Sequence, residues 1–139
     1  MTYKLYCDGG CRGNPGPCGI GGVIIDPEGT VIAEISEYVS DKQTNNYAEY
    51  SSLLKTLQKA IDLGINGSVI KIHMDSSLVV HQVKGLWKIN NSNIIPLYNQ
   101  VMEMLRLFTD YNIVHVFRDS NTHADSLANK AMNLKEINK

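Results

Sequence analysis

The hydrophobic pattern of this chain first changes period near residue 44, and that change limits the folds open to it. Before it, short segments alternate in the manner of strands. Over Tyr3–Asp8, Leu5 and Cys7 fall on one side and Tyr6 and Asp8 on the other. A glycine-rich loop from Gly9 to Pro17 follows, then a strand-like Ile20–Ile25. Asp26-Pro-Glu-Gly29 has the residues of a tight turn, leading into a third strand over Thr30–Val39. Three strands joined by such short links form an antiparallel meander.

Beyond residue 44 the apolar positions recur at helical spacing. Leu53, Leu54, Leu57, Ala60 and Ile61 mark a helix that Thr44 or Asn45 can cap and Gly64 can end. Val69–Met74 is rich in β-branched residues and predicts a strand running into Asp75. Ser76–Lys84 reads as a short helix closed by Gly85, and Pro96 suits the first turn of a helix reaching about Phe108. Ile113–Phe117 predicts a fifth strand, and Ala124, Leu127, Ala128, Ala131 and Met132 mark a last helix from Thr122 onward. A meander followed by βαβ units implies an α/β fold: a five-stranded mixed sheet, three antiparallel strands plus two parallel ones, flanked by helices. A chain of 139 residues sustains one core. The expectation is a single domain over residues 1–135, with residues 136–139 a fraying polar tail.

Composition removes several function classes. With 43% hydrophobic and 19% charged residues the chain is an ordinary globular one, not a disordered one. No apolar run approaches the ~20 residues of a membrane-spanning helix, so no membrane partner is expected. A charge at Asp8 comes too early for a secretory signal, which makes a cytoplasmic location the expectation. Cys7, Cys11 and Cys18 are an odd number without C-x-x-C spacing, and read as reduced thiols in preference to a disulfide framework or a zinc site. Nothing points to an obligate oligomer, so a monomer is expected. The net charge of −1 argues against holding nucleic acid by bulk phosphate neutralisation. A nucleic-acid site would have to be local, with metal ions supplying positive charge.

Four acids fall at telling places. Asp8 ends the first strand and Asp75 the fourth; Glu49 lies in the first turns of one helix and Asp125 in the first turn of another. If the first and fourth strands are parallel neighbours, Asp8 and Asp75 emerge together at the carboxyl edge, where ligand sites of open α/β sheets lie. Four carboxylates in one pocket repel each other unless hard cations compensate them, and oxygen-only ligands select Mg²⁺ or Mn²⁺ over zinc. Two such ions about 4 Å apart serve in-line displacement at a phosphodiester. Individually each acid has a plainer explanation as a helix cap or a dipole partner; it is the set of four that points to a metal site.

The surrounding segments resemble the type 1 ribonuclease H family. Cys7-Asp-Gly-Gly-Cys-Arg-Gly-Asn-Pro-Gly-Pro17 is similar to its first motif and Thr44-Asn-Asn-Tyr-Ala-Glu-Tyr50 to its second. His73-Met-Asp-Ser-Ser77 resembles the third, and Arg118-Asp-Ser-Asn-Thr-His-Ala-Asp-Ser-Leu-Ala-Asn129 the fourth. The resemblance spans about residues 3–133. It implies a ribonuclease H-like fold and an endonuclease cutting the RNA strand of RNA–DNA hybrids, with two Mg²⁺ or Mn²⁺ ions per site. It implies that Asp8, Glu49, Asp75 and Asp125 are catalytic metal ligands, that Asp8 bridges both ions, that water is the nucleophile, and that the ends left are 5′-phosphate and 3′-hydroxyl.

Substrate contacts follow from the same resemblance and from chemistry. RNA is told from DNA by its 2′-hydroxyl. Gly9, Gly10, Cys11 and Gly13 let the backbone approach a sugar closely, and Asn14 can both donate and accept. Residues matching Asn14 and Asn46 touch RNA in the family, within a Thr44-Asn45-Asn46 cluster. Thr44 matches part of a pocket for a DNA phosphate that Asn93 is expected to complete.

Two departures stand out. Longer members carry a basic protrusion where this chain has only Lys84-Gly-Leu-Trp-Lys-Ile-Asn90, which places it with the protrusion-less branch and predicts weaker hybrid affinity. Trp87 there can stack on a sugar or pack beneath the loop. The family's histidine on a longer loop before the last aspartate has only His123 in its place, two residues ahead of Asp125, as a candidate proton carrier. The rival readings are a hybrid or double-stranded RNA binding module without catalysis, and a DNA resolvase or exonuclease on the same fold. Double-stranded RNA as a further substrate is left open.

Overall fold

The computed structural model describes residues 1–137. Strands β1 (Thr2–Cys11), β2 (Gly16–Ile25) and β3 (Val31–Gln43) form the meander, followed by helix α1 (Asn45–Asp62) and strand β4 (Val69–Met74). Helices α2 (Ser77–Val83) and α3 (Ile95–Leu105), strand β5 (Asp110–His115) and helix α4 (Thr122–Ile137) complete the chain, with 3₁₀ turns at Ile65–Gly67 and Arg118–Ser120. The sheet order is β3-β2-β1-β4-β5, with β1/β2 and β2/β3 antiparallel and β1/β4 and β4/β5 parallel. This is the mixed five-stranded architecture expected from the pattern.

The two sheet faces are covered unequally. Leu5, Cys7, Ile24, Ile70, Ile72 and Met74 point to one side, where they form a single buried cluster with Leu53 and Leu57 of α1, Val79 and Val83 of α2, and Val101 and Leu105 of α3. On the other side Val23 packs with Ala124 and Leu127 of α4. Helix α4 comes so close to β2 that a Cβ on Gly21 would stand 2.0 Å from the Ala124 carbonyl oxygen. Only glycine permits that approach.

Element ends differ from the pattern in instructive ways. Strands β1 and β2 extend into the glycine segment, leaving a tight connection over residues 12–15 that contains a cis Asn14–Pro15 peptide. Strand β5 begins at Asp110, three residues before the expected start, because its polar first half pairs backbone to backbone with Val69–Lys71. It ends before Phe117, whose side chain is exposed. Helix α4 runs to Ile137, so the tail expected to fray from residue 136 is helical there; an Arg12–Glu136 ion pair of 2.8 Å holds that turn. Residues 138 and 139 lie outside the description.

Two of the three cysteines depart from expectation. Cys11 and Cys18 are directly opposite in the β1/β2 ladder, with Cα atoms 4.0 Å apart, and are joined as a disulfide; only Cys7, buried, is free. A count of cysteines cannot reveal this pairing, since register alone brings the two together. No helix among the described residues is long and apolar enough to cross a membrane.

Candidate active site

Parallel pairing of β1 with β4 puts Cys7 beside Met74, so the next residues, Asp8 and Asp75, stand side by side where β4 ends; Asp8 does not end its own strand as expected, since β1 runs on to Cys11 paired with β2. Helix α1 delivers Glu49 to the same place. Its start is held by Thr44, whose Oγ1 accepts the Tyr47 N–H at 3.2 Å, and its approach depends on a bare α-carbon: a Cβ on Gly9 would stand 2.2 Å from the Ala48 carbonyl oxygen. One carboxylate oxygen each from Asp8, Glu49 and Asp75 lie within 4.8 Å of one another. Asp125, in the first turn of α4, stands outside that closest trio but lines the same cleft, of about 650 Å³, and lies near enough to raise the Asp8 carboxyl.

Electrostatics show how strained this gathering of acids is without cations. Burial, then the charges and hydrogen bond of Asp75, Asp125 and Glu49, push the Asp8 carboxyl up to about 9. Glu49 is raised by burial to about 7, with Asp75 adding to the rise while the Ser76 hydroxyl and the Arg118 guanidinium pull it down. A cluster of oxygen donors that resists ionisation on its own fits hard divalent cations, which restore the carboxylate forms.

Most of the expected substrate contacts lie around this cleft. Gly9, Gly10, Cys11, Asn45 and Asn46 line it. At Gly9 the missing side chain makes room for α1, not for a sugar, whereas a Cβ on Gly10 would meet nothing within 4 Å. Asn45 Oδ1 accepts the Cys11 N–H at 2.9 Å, and Asn14 Oδ1 accepts the Asn45 N–H at 3.1 Å, so the asparagines link the glycine segment to the start of α1. Asn93 Nδ2 donates to Gln43 Oε1 at 2.8 Å, which sets Asn93 beside the residue preceding Thr44.

His123 is not brought to the carboxylates. It pairs with Glu34 of β3 and lines a separate, smaller pocket with Tyr6, Val23 and Ile25. The helical turn following Thr122 points its ring toward the meander. His115 and Arg118 instead line the acidic cleft, together with Arg12 and Asn129. His115 ends β5 opposite Met74; the reasoning that singled out Asp8 and Asp75 by their strand ends applies to it equally once β5 is placed correctly. Trp87 stands half-exposed and stacks on His81, ring centroids 4.2 Å apart.

Comparison with known proteins places these features in a family context. Residues 6–131 match the family model described as "Reverse transcriptase-like". The chain is 39% identical over 132 residues to the "Bifunctional protein Rv2228c" of Mycobacterium tuberculosis, covering 95% of this chain and 36% of that protein. It is 39% identical over 127 residues to "Ribonuclease HI" of Halobacterium salinarum, covering 91% of this chain and 62% of that one. The chain therefore spans less than two thirds of the length of these curated relatives. The crystal structure of RNase H1 from Halobacterium salinarum superposes with a TM-score of 0.90 at 37% identity, over 96% of this chain and 98% of that one. LC11-RNase H1, solved in complex with an RNA/DNA hybrid, gives a TM-score of 0.90 at 33% identity, over 96% and 98%.

Proposed function

The chain belongs to the type 1 ribonuclease H family, and on that premise we propose that it is an endoribonuclease acting on RNA–DNA hybrids. It cuts the RNA strand by two-metal-ion hydrolysis and leaves 5′-phosphate and 3′-hydroxyl ends. The observation that carries this reading is the convergence of Asp8, Glu49 and Asp75 within 4.8 Å, with Asp125 lining the same cleft. The ligands proposed for Mg²⁺ or Mn²⁺ are these four carboxylates. Bound there, the cations supply activation of the attacking water and stabilisation of the leaving oxygen.

The protein's own residues have distinct tasks in this reading. Asp8, on the central strand β1, stands beside Glu49 and Asp75 and shares the cleft with Asp125. Ser76 and Arg118 favour the ionised form of Glu49, keeping it ready as a ligand. The backbone at Gly10 and Cys11, with Asn14, Asn45 and Asn46, receives the RNA strand and its 2′-hydroxyls. Thr44 and Asn93 face a phosphate of the DNA strand. No side chain acts as covalent nucleophile. Lacking the basic protrusion, the chain has only the Lys84–Asn90 segment with Trp87 to add affinity, so binding is modest and, with few phosphates neutralised by side chains, only shallowly salt-dependent.

The test is incubation of an end-labelled hybrid with and without Mg²⁺ or Mn²⁺, beside Asp8→Asn. Metal-dependent cutting of the RNA strand alone, lost in the variant, is expected. A folded protein that binds the hybrid with either ion and never cuts it would replace this reading with the non-catalytic binding module. Indifference to replacing the central riboses by deoxyriboses would point to a resolvase.

A further inference from the structure

The Cys11–Cys18 disulfide joins β1 to β2 where both strands enter the glycine connection. Cys11 is partly exposed and lines the acidic cleft, while Cys18 is wholly buried. The backbone of Cys11 also carries a relay: its N–H donates to Asn45 Oδ1, and the Asn45 N–H donates to Asn14 Oδ1. Just past the disulfide the strand pair is closed by one further bond, Arg12 N–H to the Pro17 carbonyl at 2.8 Å. Arg12 also reaches α4 through Asn133 and Glu136.

We propose that the Cys11–Cys18 disulfide is a reducible positioning element for the RNA strand: oxidised, it holds the glycine connection and the Asn14–Asn45 pair in the hybrid-binding arrangement, and reduced, it lets them spread. The inference rests on the hybrid-cleaving reading above. A short cross-link restricts the conformations open to the segment it closes, and a site held in its binding arrangement loses less freedom when substrate arrives. The carboxylates are placed by β1, β4, α1 and α4, not by the connection over residues 12–15. Opening the disulfide therefore weakens binding while leaving turnover of bound hybrid nearly unchanged.

The chemistry is ordinary thiol–disulfide exchange with a dithiol reductant. One thiolate of the reductant attacks Sγ of Cys11, the partly exposed member of the pair. The Cys11–Cys18 bond breaks, Cys18 leaves as a thiolate and takes up a proton, and a mixed disulfide forms at Cys11. The second thiolate of the reductant attacks its own sulfur in that bond, releasing Cys11, which is protonated in turn. Two electrons pass to the protein, and the dithiol ends as a cyclic disulfide.

The experiment compares oxidised and dithiothreitol-reduced protein, with thiols titrated after denaturation. One free thiol, Cys7, is expected before reduction and three after it. Hybrid affinity is measured by fluorescence anisotropy in an Asp8→Asn background, which needs no cleavage, and KM and kcat in the unsubstituted chain. Reduction is expected to raise both the dissociation constant and KM about tenfold, a loss of about 1.4 kcal/mol, with kcat held within about twofold. Cys18→Ser should match the reduced protein and ignore the reductant. Three free thiols in protein prepared under oxidising conditions, or the same hybrid affinity in both redox states, would overturn the inference. Absence of cleavage in both states overturns the functional reading instead, while the anisotropy arm still decides the role of the disulfide.

Discussion

The side-chain amide of Asn121 donates to the backbone carbonyl of Cys7 at 2.9 Å, tying the entrance of α4 to β1 one residue before Asp8. The Asn121 carbonyl in turn accepts the Asp125 N–H at 3.1 Å. One buried residue thus spans the two elements that bear Asp8 and Asp125. Asn121→Ala strands the Cys7 carbonyl, an unpaired buried acceptor costing about 1–3 kcal/mol. The expected outcome is that loss of stability in urea denaturation, together with a fall in kcat larger than any change in KM. A variant of wild-type stability and turnover would show that the bond positions nothing.

Two glycines act by the space they leave. A methyl group on Gly21 meets the Ala124 carbonyl and one on Gly9 the Ala48 carbonyl, each backbone with no room to yield. Gly21→Ala should destabilise by about 1–3 kcal/mol as overpacking does. By pushing the first turn of α4 outward it should also cut metal-dependent cleavage by up to about a hundredfold. Gly10→Ala is the control, since open space surrounds its Cα; thermal melts should place it within about 0.5 kcal/mol of the parent.

In metal-free protein the acidic cluster sets how stability varies with pH. Asp8 is raised from 3.8 to about 9, so between those values the folded state holds a proton that the unfolded chain has released. Stability is therefore full below about pH 4 on this account and is lost as pH rises toward 9. Glu49, raised to about 7, acts in the same direction over the lower part of that range. Chelator-treated protein should lose thermal stability from pH 5 to 9, and Asp8→Asn should flatten the slope. Added Mg²⁺ should restore the loss in the parent far more than in the variant. A flat profile in chelator would count against the buried cluster.

The meander, the helices and the four acids were legible because each has a local cause. Alternation marks Leu5 and Cys7, helical spacing marks Leu53 and Leu57, and the carboxyl ends of parallel strands mark Asp8 and Asp75. What escaped depends on distant parts of the chain. The Cys11–Cys18 pairing needs the β1/β2 register, the purpose of Gly9 and Gly21 needs the helices laid against the sheet, and the Glu34–His123 pair joins residues far apart in sequence. The place of His115 depends on a strand boundary: a strand running to Phe117 sets it mid-strand, whereas it ends β5 and faces the cleft.

The positions of His123, in the first turn of α4, and Arg118, in the connection before it, lead to opposite expectations. His123 pairs with Glu34 at the surface, away from the carboxylates. His123→Ala should leave kcat within about twofold and cost under about 1 kcal/mol, as exposed ion pairs do. Arg118 lines the cleft and favours ionised Glu49. Without its charge the Glu49 carboxyl rises further, so a larger share stays protonated near neutral pH and cations bind less readily. For Arg118→Ala the acidic limb of the pH–rate profile should move to higher pH, and half-maximal cleavage should require more Mg²⁺. Because Glu49 is then ionised only at higher pH, activity in the variant should recover as pH is raised at fixed Mg²⁺. A uniform loss at every pH would assign Arg118 to substrate contact alone, and a shifted limb in His123→Ala would return that histidine to the reaction.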